Sequence, residues 1–297
     1  MKYLVTGGAG FIGSNIVSNL LDNGHQVVVI DNESAECHDQ FYWSPDAENH
    51  KLDICDYDEI KKLFHGVDTV FHCAAEARIQ PSFANPLLTV KTNTLGTCSV
   101  LQAAREANVR RVIYSSTSSA YGNNDIPFDE TLPTDCLTPY SVAKVSGESL
   151  CKLYYDRFGL ETITLRYFNV YGDRQPLRGT YAPVIGLFLR QHEKGEPLTI
   201  VDDGEQTRDF THIDDVVSAN ILAITAKLKE YGQVINIGTG ESIAINKIAK
   251  MISDDSINLP KRVGEARHTK ASINKAKTLL GWFPKVNLKN WIMENKK

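Results

Sequence analysis

Tyr140 and Lys144 stand four residues apart in Pro139-Tyr140-Ser141-Val142-Ala143-Lys144, where a helical periodicity begins. On a helix that spacing stacks the two side chains one turn apart on one face. An ammonium beside a phenol favours the phenolate, so the phenol is expected to ionise below its free value of about 10. Such a phenol is a general base near neutral pH. Upstream, an apolar run at 110–115 closes in Ser115-Ser116-Thr117-Ser118-Ser119-Ala120-Tyr121-Gly122. A hydroxyl at that strand end, Thr117, can share a substrate oxygen with Tyr140 and hold its proton in line. Taken alone, each feature has an ordinary reading. Most Y-x-x-x-K pairs are solvated surface pairs, and most hydroxyl clusters cap loops.

The stretch YLVTGGAGFIGSNIV at 3–17 supplies the missing partner. An apolar run ends in Thr6. Gly7, Gly10 and Gly13 follow at spacing G-x-x-G-x-x-G, and then a helical pattern with Ile12, Ile16 and Leu20 on one stripe. The first glycine permits a tight turn, the second lets backbone approach a pyrophosphate, and the third lets helix pack on strand. The helix N-terminus offers free N–H groups and a positive dipole end to the phosphates. Gly24-His25-Gln26 closes the helix, and a second buried run at 27–30 ends in Asp31. A carboxylate there accepts both ribose hydroxyls of an adenosine and repels a 2′-phosphate, which favours NAD over NADP. Chemistry that wants a phenolic base beside a nicotinamide is hydride transfer at a secondary alcohol. Lys144 can also donate to a cofactor ribose.

The elements that must position these groups follow from periodicity. The first half alternates short apolar runs with amphipathic stretches, the pattern of a parallel sheet covered on both faces. Strands are expected at 3–6, 26–30, about 49–52, 68–72, 110–115 and 161–166, and helices at 11–23, 56–63, 86–107 and 139–158. Right-handed crossovers place the strand C-terminal ends on one edge, where ligands bind. After Arg166 glycines and prolines multiply, with one helix at about 183–194. Helix 212–229 and strand 233–237 return to the doubly wound layer, and short helices fill 241–297. The expected fold is α/β: a Rossmann-type doubly wound parallel sheet with a smaller, discontinuous C-terminal substrate-binding lobe. Residues 1–168 and 211–238 form the first part, and 169–210 and 239–297 the second.

The 297 residues suffice for a large core, and 42% hydrophobic with 23% charged residues is ordinary globular composition. A net charge of −4 gives no reason to expect nucleic acid or an anionic membrane as partner. No apolar stretch is long enough to span a bilayer, and the opening run, broken at once by glycines, does not read as a signal peptide. Cys37, Cys55, Cys73, Cys98, Cys136 and Cys151 are scattered without C-x-x-C. They read as reduced thiols in a cytoplasmic protein. The eight histidines show no H-x-x-x-H pairing, so no metal is expected.

In order along the chain stand TGGAGFIG at 6–13, DN at 31–32, LDICD at 52–56, HCAAEA at 72–77, NTLGT at 93–97, SSTSSAYG at 115–122, PYSVAK at 139–144, LRYFNVYG at 165–172, GEQTRDFTHIDDV at 204–216 and GEARHTKASINKAKTLLGWFP at 264–284. By these the chain resembles the extended short-chain dehydrogenase/reductases, and among them the UDP-glucose/UDP-N-acetylglucosamine 4-epimerases. The resemblance implies that Gly7, Gly10, Phe11, Ile12 and Gly13 take the pyrophosphate of NAD. It gives Asp31 and Asn32 to the adenosine ribose, Asp53 and Ile54 to the adenine, and Ala74, Ala75, Asn93, Ser115 and Tyr167 to the rest of the cofactor site. Tyr167 and Phe168 would flank the nicotinamide end. Thr117, Tyr140 and Lys144 form the implied catalytic set, with Tyr140 and Lys144 also touching NAD. Thr117, Tyr140, Asn169, Arg208, Arg267 and Thr269 would bind the UDP-sugar. Guanidinium matches phosphate bidentately, and the ordinary alternative for Arg208 and Arg267 is a surface salt bridge. Arg78, Asp214 and Asp215 read as structural. The chain departs from the family at Ser272, where an Asp is usual, and in its short last helix.

Sugar 4,6-dehydratases carry an Asp-Glu pair where this chain has Ser118-Ser119, and related decarboxylases usually carry Glu at the second position. A hydroxyl cannot serve as that carbon acid/base, so the implied reaction is oxidation and re-reduction of carbon 4. A UDP-glucuronate 4-epimerase, which needs a cation for the sugar carboxylate, and a related dehydratase or decarboxylase are the alternatives. In the family a small residue at the position of Thr269 goes with acceptance of N-acetylated sugars. Helices 86–107 and 139–158 would pair with their symmetry mates in a homodimer.

Overall fold

Runs that are apolar on both faces become inner parallel strands, and this chain has several. The computed structural model describes residues 1–35, 38, 40–177 and 182–296. In chain order its elements are β1 (Lys2–Thr6), α1 (Phe11–Asp22), β2 (Gln26–Asp31), β3 (Glu48–Lys51), α2 (Tyr57–Ile60), β4 (Thr69–His72), α3 (Ile79–Ala84), α4 (Pro86–Val90), α5 (Thr97–Glu106), β5 (Arg111–Thr117), α6 (Pro139–Phe158), β6 (Glu161–Tyr167) and β7 (Val170–Tyr171). There follow α7 (Val184–Glu193), β8 (Leu198–Val201), β9 (Thr207–Arg208), β10 (Thr211–His212), α8 (Ile213–Thr225), β11 (Gln233–Ile237), β12 (Ile243–Ala244), α9 (Ile245–Ile252), β13 (Ser256–Leu259), α10 (Asn274–Leu280) and α11 (Leu288–Asn295).

Seven strands form one sheet in the order β11-β6-β5-β4-β1-β2-β3, every pair parallel. The chain runs outward from β1 to β3, then crosses to β4 on the other side of β1. The crevice at that reversal, outside the strand ends, is where such sheets bind ligands. The ends of β1, β4, β5 and β6 bring Thr6, His72, Thr117 and Tyr167 to this one edge. One face of the sheet packs Ile16, Val17 and Leu20 of α1 with Ile213, Val216 and Ala219 of α8. The other packs Val100, Leu101 and Ala104 of α5 with Cys151 and Tyr154 of α6. A third apolar cluster, including Ile185, Phe188, Leu198, Ile248 and Ile252, lies among α7, β8 and α9.

α6 is specified locally at both ends. Thr138 and Ser141 make a reciprocal capping box, Pro139 opens the helix, and Gly159 closes it in the left-handed conformation at φ 71°. Inside it, Gly147 lets the helix lie close on β5, since a Cβ there would come within 2.6 Å of the Tyr114 ring. The expected single helix over 86–107 is instead α4, a π-helical turn at Lys91–Gly96, and α5. The wider turn faces Asn93 inward and presses Gly96 on Ile54, where a Cβ would lie 2.6 Å from Cδ1. The expected helix at 56–63 is α2 followed by a 3₁₀ turn at Lys61–Phe64. α3 was not foreseen, because Pro81 looks like a breaker. It sits in the first turn, where an N–H has no helical partner to lose.

Asp209, wholly buried, ties distant segments together. Its Oδ1 accepts from the Thr239 amide at 2.8 Å and the Thr239 hydroxyl at 2.6 Å, and its Oδ2 from the amides of Gly240 at 2.9 Å and Ala271 at 3.0 Å. Asp215 does the same for the chain's end, accepting from the amides of Lys285 at 2.8 Å and Val286 at 3.1 Å. It is thus structural, as expected.

Candidate active site

The three glycines do different work. Gly7 has φ +66°, and a Cβ on it would lie 2.7 Å from the Ala74 nitrogen. A Cβ on Gly13 would collide with the Gly7 carbonyl. Both positions are therefore glycine because the protein packs against itself there. Gly10 differs: a Cβ would meet the Gly7 carbonyl oxygen at 3.4 Å and His38 Nε2 at 3.7 Å, ordinary contacts. The fold tolerates a side chain at Gly10. A bare backbone there leaves the N-terminus of α1 open, the place where folds of this kind hold a dinucleotide pyrophosphate. Phe11 and Ile12 open α1 and pack partly buried against the core.

Asp31 ends β2 with its carboxylate buried. Oδ2 accepts from the Ala9 amide at 3.0 Å and Oδ1 from the Glu33 amide at 2.8 Å. Burial raises its pKa and these amides pull it down. The exposed Asn32 accepts from the Ser34 amide at 3.1 Å, and Asp53 from the Cys55 amide at 2.8 Å. The Ile54 side chain belongs to the core instead of a ligand surface. Ala74 and Ala75 follow β4, and the Ala74 amide donates to Thr6 Oγ1 at 3.3 Å. Asn93 holds this loop by both ends of its amide, accepting from the Glu76 N–H at 2.8 Å and donating to its carbonyl at 3.0 Å.

A relay of buried hydrogen bonds underneath was missed in the sequence. Thr6 Oγ1 meets His72 Nδ1 at 2.7 Å, His72 Nε2 meets Thr97 Oγ1 at 2.9 Å, and Thr97 donates to the Asn93 carbonyl at 2.7 Å. Thr97 spends its proton on Asn93, so His72 must donate from Nε2 and accept from Thr6 at Nδ1. Burial holds the imidazole neutral, its pKa pushed down to about 3. The signal available in the sequence was a histidine closing a buried apolar strand.

Thr117 ends β5, with its hydroxyl close to the Tyr140 phenol. It also meets Ser119 Oγ at 3.0 Å and caps the Ser119 amide at 3.1 Å. Lys144 lies a turn after Tyr140, fully in the interior, and its Nζ donates to the Ser115 carbonyl at 2.8 Å above the Tyr114 ring. The expected lowering of the phenol pKa is not found. Burial raises the Tyr140 pKa, with the Thr117 hydroxyl and the Arg78 charge pulling against it. Lys144 is aimed past the phenol at Ser115, and burial pushes its own pKa down to about 8. Arg78, read from sequence as structural, thus places its charge within reach of Tyr140. Ser115 Oγ sits 3.2 Å from Tyr167 Oη, which also bonds Asn220. Phe168 does not flank this site; it is fully buried among the Tyr121 and Phe128 rings.

Across the crevice, Asn169 takes a strained φ of 28° and donates to the Asp209 carbonyl at 2.8 Å. Arg208 is partly buried and approaches Glu265 at 3.4 Å. Glu265 also faces Arg262 at 3.9 Å, so one carboxylate stands between two guanidinium groups. Arg267 is placed otherwise: it forks onto Asp203 at 2.8 and 2.7 Å with its side chain 42% exposed. The second guanidinium at Arg208's carboxylate is therefore Arg262, which the sequence reading passed over. Thr269 is buried, its hydroxyl accepting from the Asp209 amide at 3.2 Å.

A dinucleotide cradle and a phenol–ammonium helix at one sheet edge are what NAD-dependent oxidoreduction of an alcohol requires. The chain belongs to the NAD dependent epimerase/dehydratase family, which matches residues 3–238, and NAD is its cofactor. It is 36% identical to the UDP-glucose 4-epimerase of Thermotoga maritima, solved with UDP-glucose, covering 98% of this chain and 96% of that one at a TM-score of 0.93. It is similar also to the UDP-N-acetylglucosamine 4-epimerase of Methanobrevibacter ruminantium in complex with UDP-N-acetylmuramic acid: 34% identity, 99% and 96% coverage, TM-score 0.91. The UDP-glucuronic acid 4-epimerase of Bacillus cereus, in complex with UDP-glucuronic acid and NAD, is 34% identical, with 100% and 98% coverage and a TM-score of 0.87.

Proposed function

We propose that this protein is a UDP-hexose 4-epimerase with tightly held NAD, interconverting UDP-GlcNAc with UDP-GalNAc and UDP-glucose with UDP-galactose. The observation that carries this is the segment after β5. Thr117, Ser118 and Ser119 present hydroxyls beside Tyr140, and no carboxylate lies between 115 and 122. The site then has one base for one oxygen and nothing to move protons at a neighbouring carbon. Bound NAD supplies the reversible two-electron acceptor. Tyr140 takes the proton of the 4-hydroxyl, Thr117 holds that oxygen in line, and Lys144 steadies the charge left on the phenol. The 4-keto sugar turns over while its nucleotide stays anchored, presenting the other face of carbon 4 for re-reduction, and Tyr140 returns the proton to the carbon-4 oxygen.

In this reading residues 1–168 and 211–238 carry NAD, and 169–210 and 239–297 carry the nucleotide sugar. Asn169 holds the sugar nucleotide, and the diphosphate displaces Glu265 between Arg208 and Arg262. Thr269 is small enough to leave room for an acetamido group, although its hydroxyl serves Asp209. A second reading, epimerisation of a UDP-uronate, is favoured by Arg78, because a sugar carboxylate needs a cation and this one reaches Tyr140. The test is incubation of pure protein with a panel of UDP-sugars, UDP-glucuronate included, without added NAD, followed by NMR. Formation of 4-epimers is the expected outcome. Accumulation of NADH with a keto or decarboxylated product overturns the reading, and conversion of UDP-glucuronate alone selects the second one.

A further inference from the structure

Tyr140, Lys144 and Glu148 recur every four residues on α6, so they form one stripe facing the sheet. Glu148 is buried like Lys144, with a side chain 7% exposed. Ser116 donates to its Oε1 at 2.5 Å, and Arg166 forks onto it with Nε to Oε1 at 2.8 Å and Nη2 to Oε2 at 2.6 Å. The Arg166 guanidinium lies 4.5 Å from the Tyr121 ring centroid, and Tyr121 donates to Asn236 Oδ1 at 2.7 Å. Ser116 adjoins Thr117, and Arg166 adjoins Tyr167. One carboxylate on α6 therefore grips the residue next to a site residue on each of β5 and β6.

We propose that Glu148 is a positioning residue for this site, setting the register of α6 on β5 and β6 and supplying the negative charge behind Lys144. This rests on the 4-epimerase reading above. A buried ion pair is no better for stability than a well-packed apolar trio, so stability alone does not account for it. The charge does. The groups facing Lys144 are Tyr114 and the Ser115 carbonyl from β5, His72 and Cys73 from the end of β4, Tyr140 and Cys151 from α6, and Glu148 backed by Arg166 from β6. Burial keeps His72 neutral down to about pH 3 and pushes the thiols of Cys73 and Cys151 up to about 11 and about 12. The carboxylate among these described groups is Glu148, ion-paired with Arg166 at 2.6 Å. It opposes the desolvation that drives Lys144 toward losing its proton.

The experiment uses the NAD-loaded enzyme carrying Glu148→Gln. Two readouts are taken: kcat against pH, and the pH titration of the Lys144 ¹³Cε resonance, assigned by its loss in Lys144→Arg. Removal of the charge makes the ammonium easier to deprotonate. The alkaline limb of kcat and the Lys144 titration should both move down by about 0.5–1 pH unit, with the KM for the UDP-sugar unchanged. Glu148→Gln leaves Arg166 buried without its partner and can fail to fold. Glu148→Leu/Arg166→Met removes both charges into matched apolar volume, and a smaller downward shift is expected, because the Arg166 cation goes with the anion. The proposal is overturned if a folded variant loses thermal stability alone while limb and titration stay at wild-type positions. If the wild type epimerises no UDP-sugar, the functional reading falls, and the Lys144 titration still decides the coupling.

Discussion

Lys144 should make activity and stability respond to alkali in opposite directions. Burial pushes the pKa of its ammonium down to about 8 in the folded protein, against about 10.4 for a free lysine. Between those values the unfolded chain binds more protons, so the Lys144 contribution to stability rises with pH. Activity, which needs the ammonium, should fall through the same window. Turnover and melting temperature measured from pH 7 to 10.5 should therefore diverge, and Lys144→Met should remove this part of the stability slope. Tyr140→Phe tests the base itself. Turnover should drop about 10²–10⁴-fold while the NAD released on denaturation stays the same. Retention of more than half the activity would place the base elsewhere. Spacing made the Tyr140–Lys144 pair legible in sequence, but the sign of the phenol's shift was not. Adjacency on a helix says two groups meet, whereas desolvation depends on what the sheet and loops stack over them. Arg262 was illegible for a like reason: only folding shows that Glu265 lies between it and Arg208.

At the scale of elements, the sheet was readable because continuous apolar runs end in residues that cannot continue them, as at Thr6 and Asp31. Less readable were elements whose geometry answers to a single neighbour. The π-helical turn at Lys91–Gly96 exists where Gly96 meets Ile54, a contact no local pattern encodes. α3 hides behind Pro81, and the two-residue strands β7, β9, β10 and β12 are too short for any periodicity. Gly147 is the sharpest case of one element shaped by another. Gly147→Ala drives a methyl into the Tyr114 ring and lifts α6 from β5. A loss of about 1–3 kcal/mol is expected in urea unfolding. Tyr114→Phe, which removes the oxygen nearest that methyl, should restore part of it. If Gly147→Ala is as stable as the wild type, the close approach is not what selects glycine.

For the whole molecule, the helices that carry the site also leave an apolar surface. Leu87 is 82% exposed, Leu95 54%, Val142 49% and Leu153 46%. Val142 and Leu153 lie along the outer side of α6, beyond Ser146 and Ser149, opposite the stripe that faces the sheet. A second copy related by a twofold axis would cover them, giving the proposed homodimer. Light scattering at micromolar concentration should give twice the chain mass for the wild type and the chain mass for Leu95→Glu/Leu153→Glu. A monomeric wild type refutes the dimer. Asp209 bears on how the molecule is made. A nascent chain that has emerged through β11 already contains all seven strands of the sheet, yet Asp209 still lacks Thr239, Gly240 and Ala271. A carboxylate cannot be buried until those donors exist. During synthesis the segment around Asp209 can therefore close only after residue 271 has left the ribosome, and a chain cut short of it would keep every strand of the sheet with that carboxylate left in water.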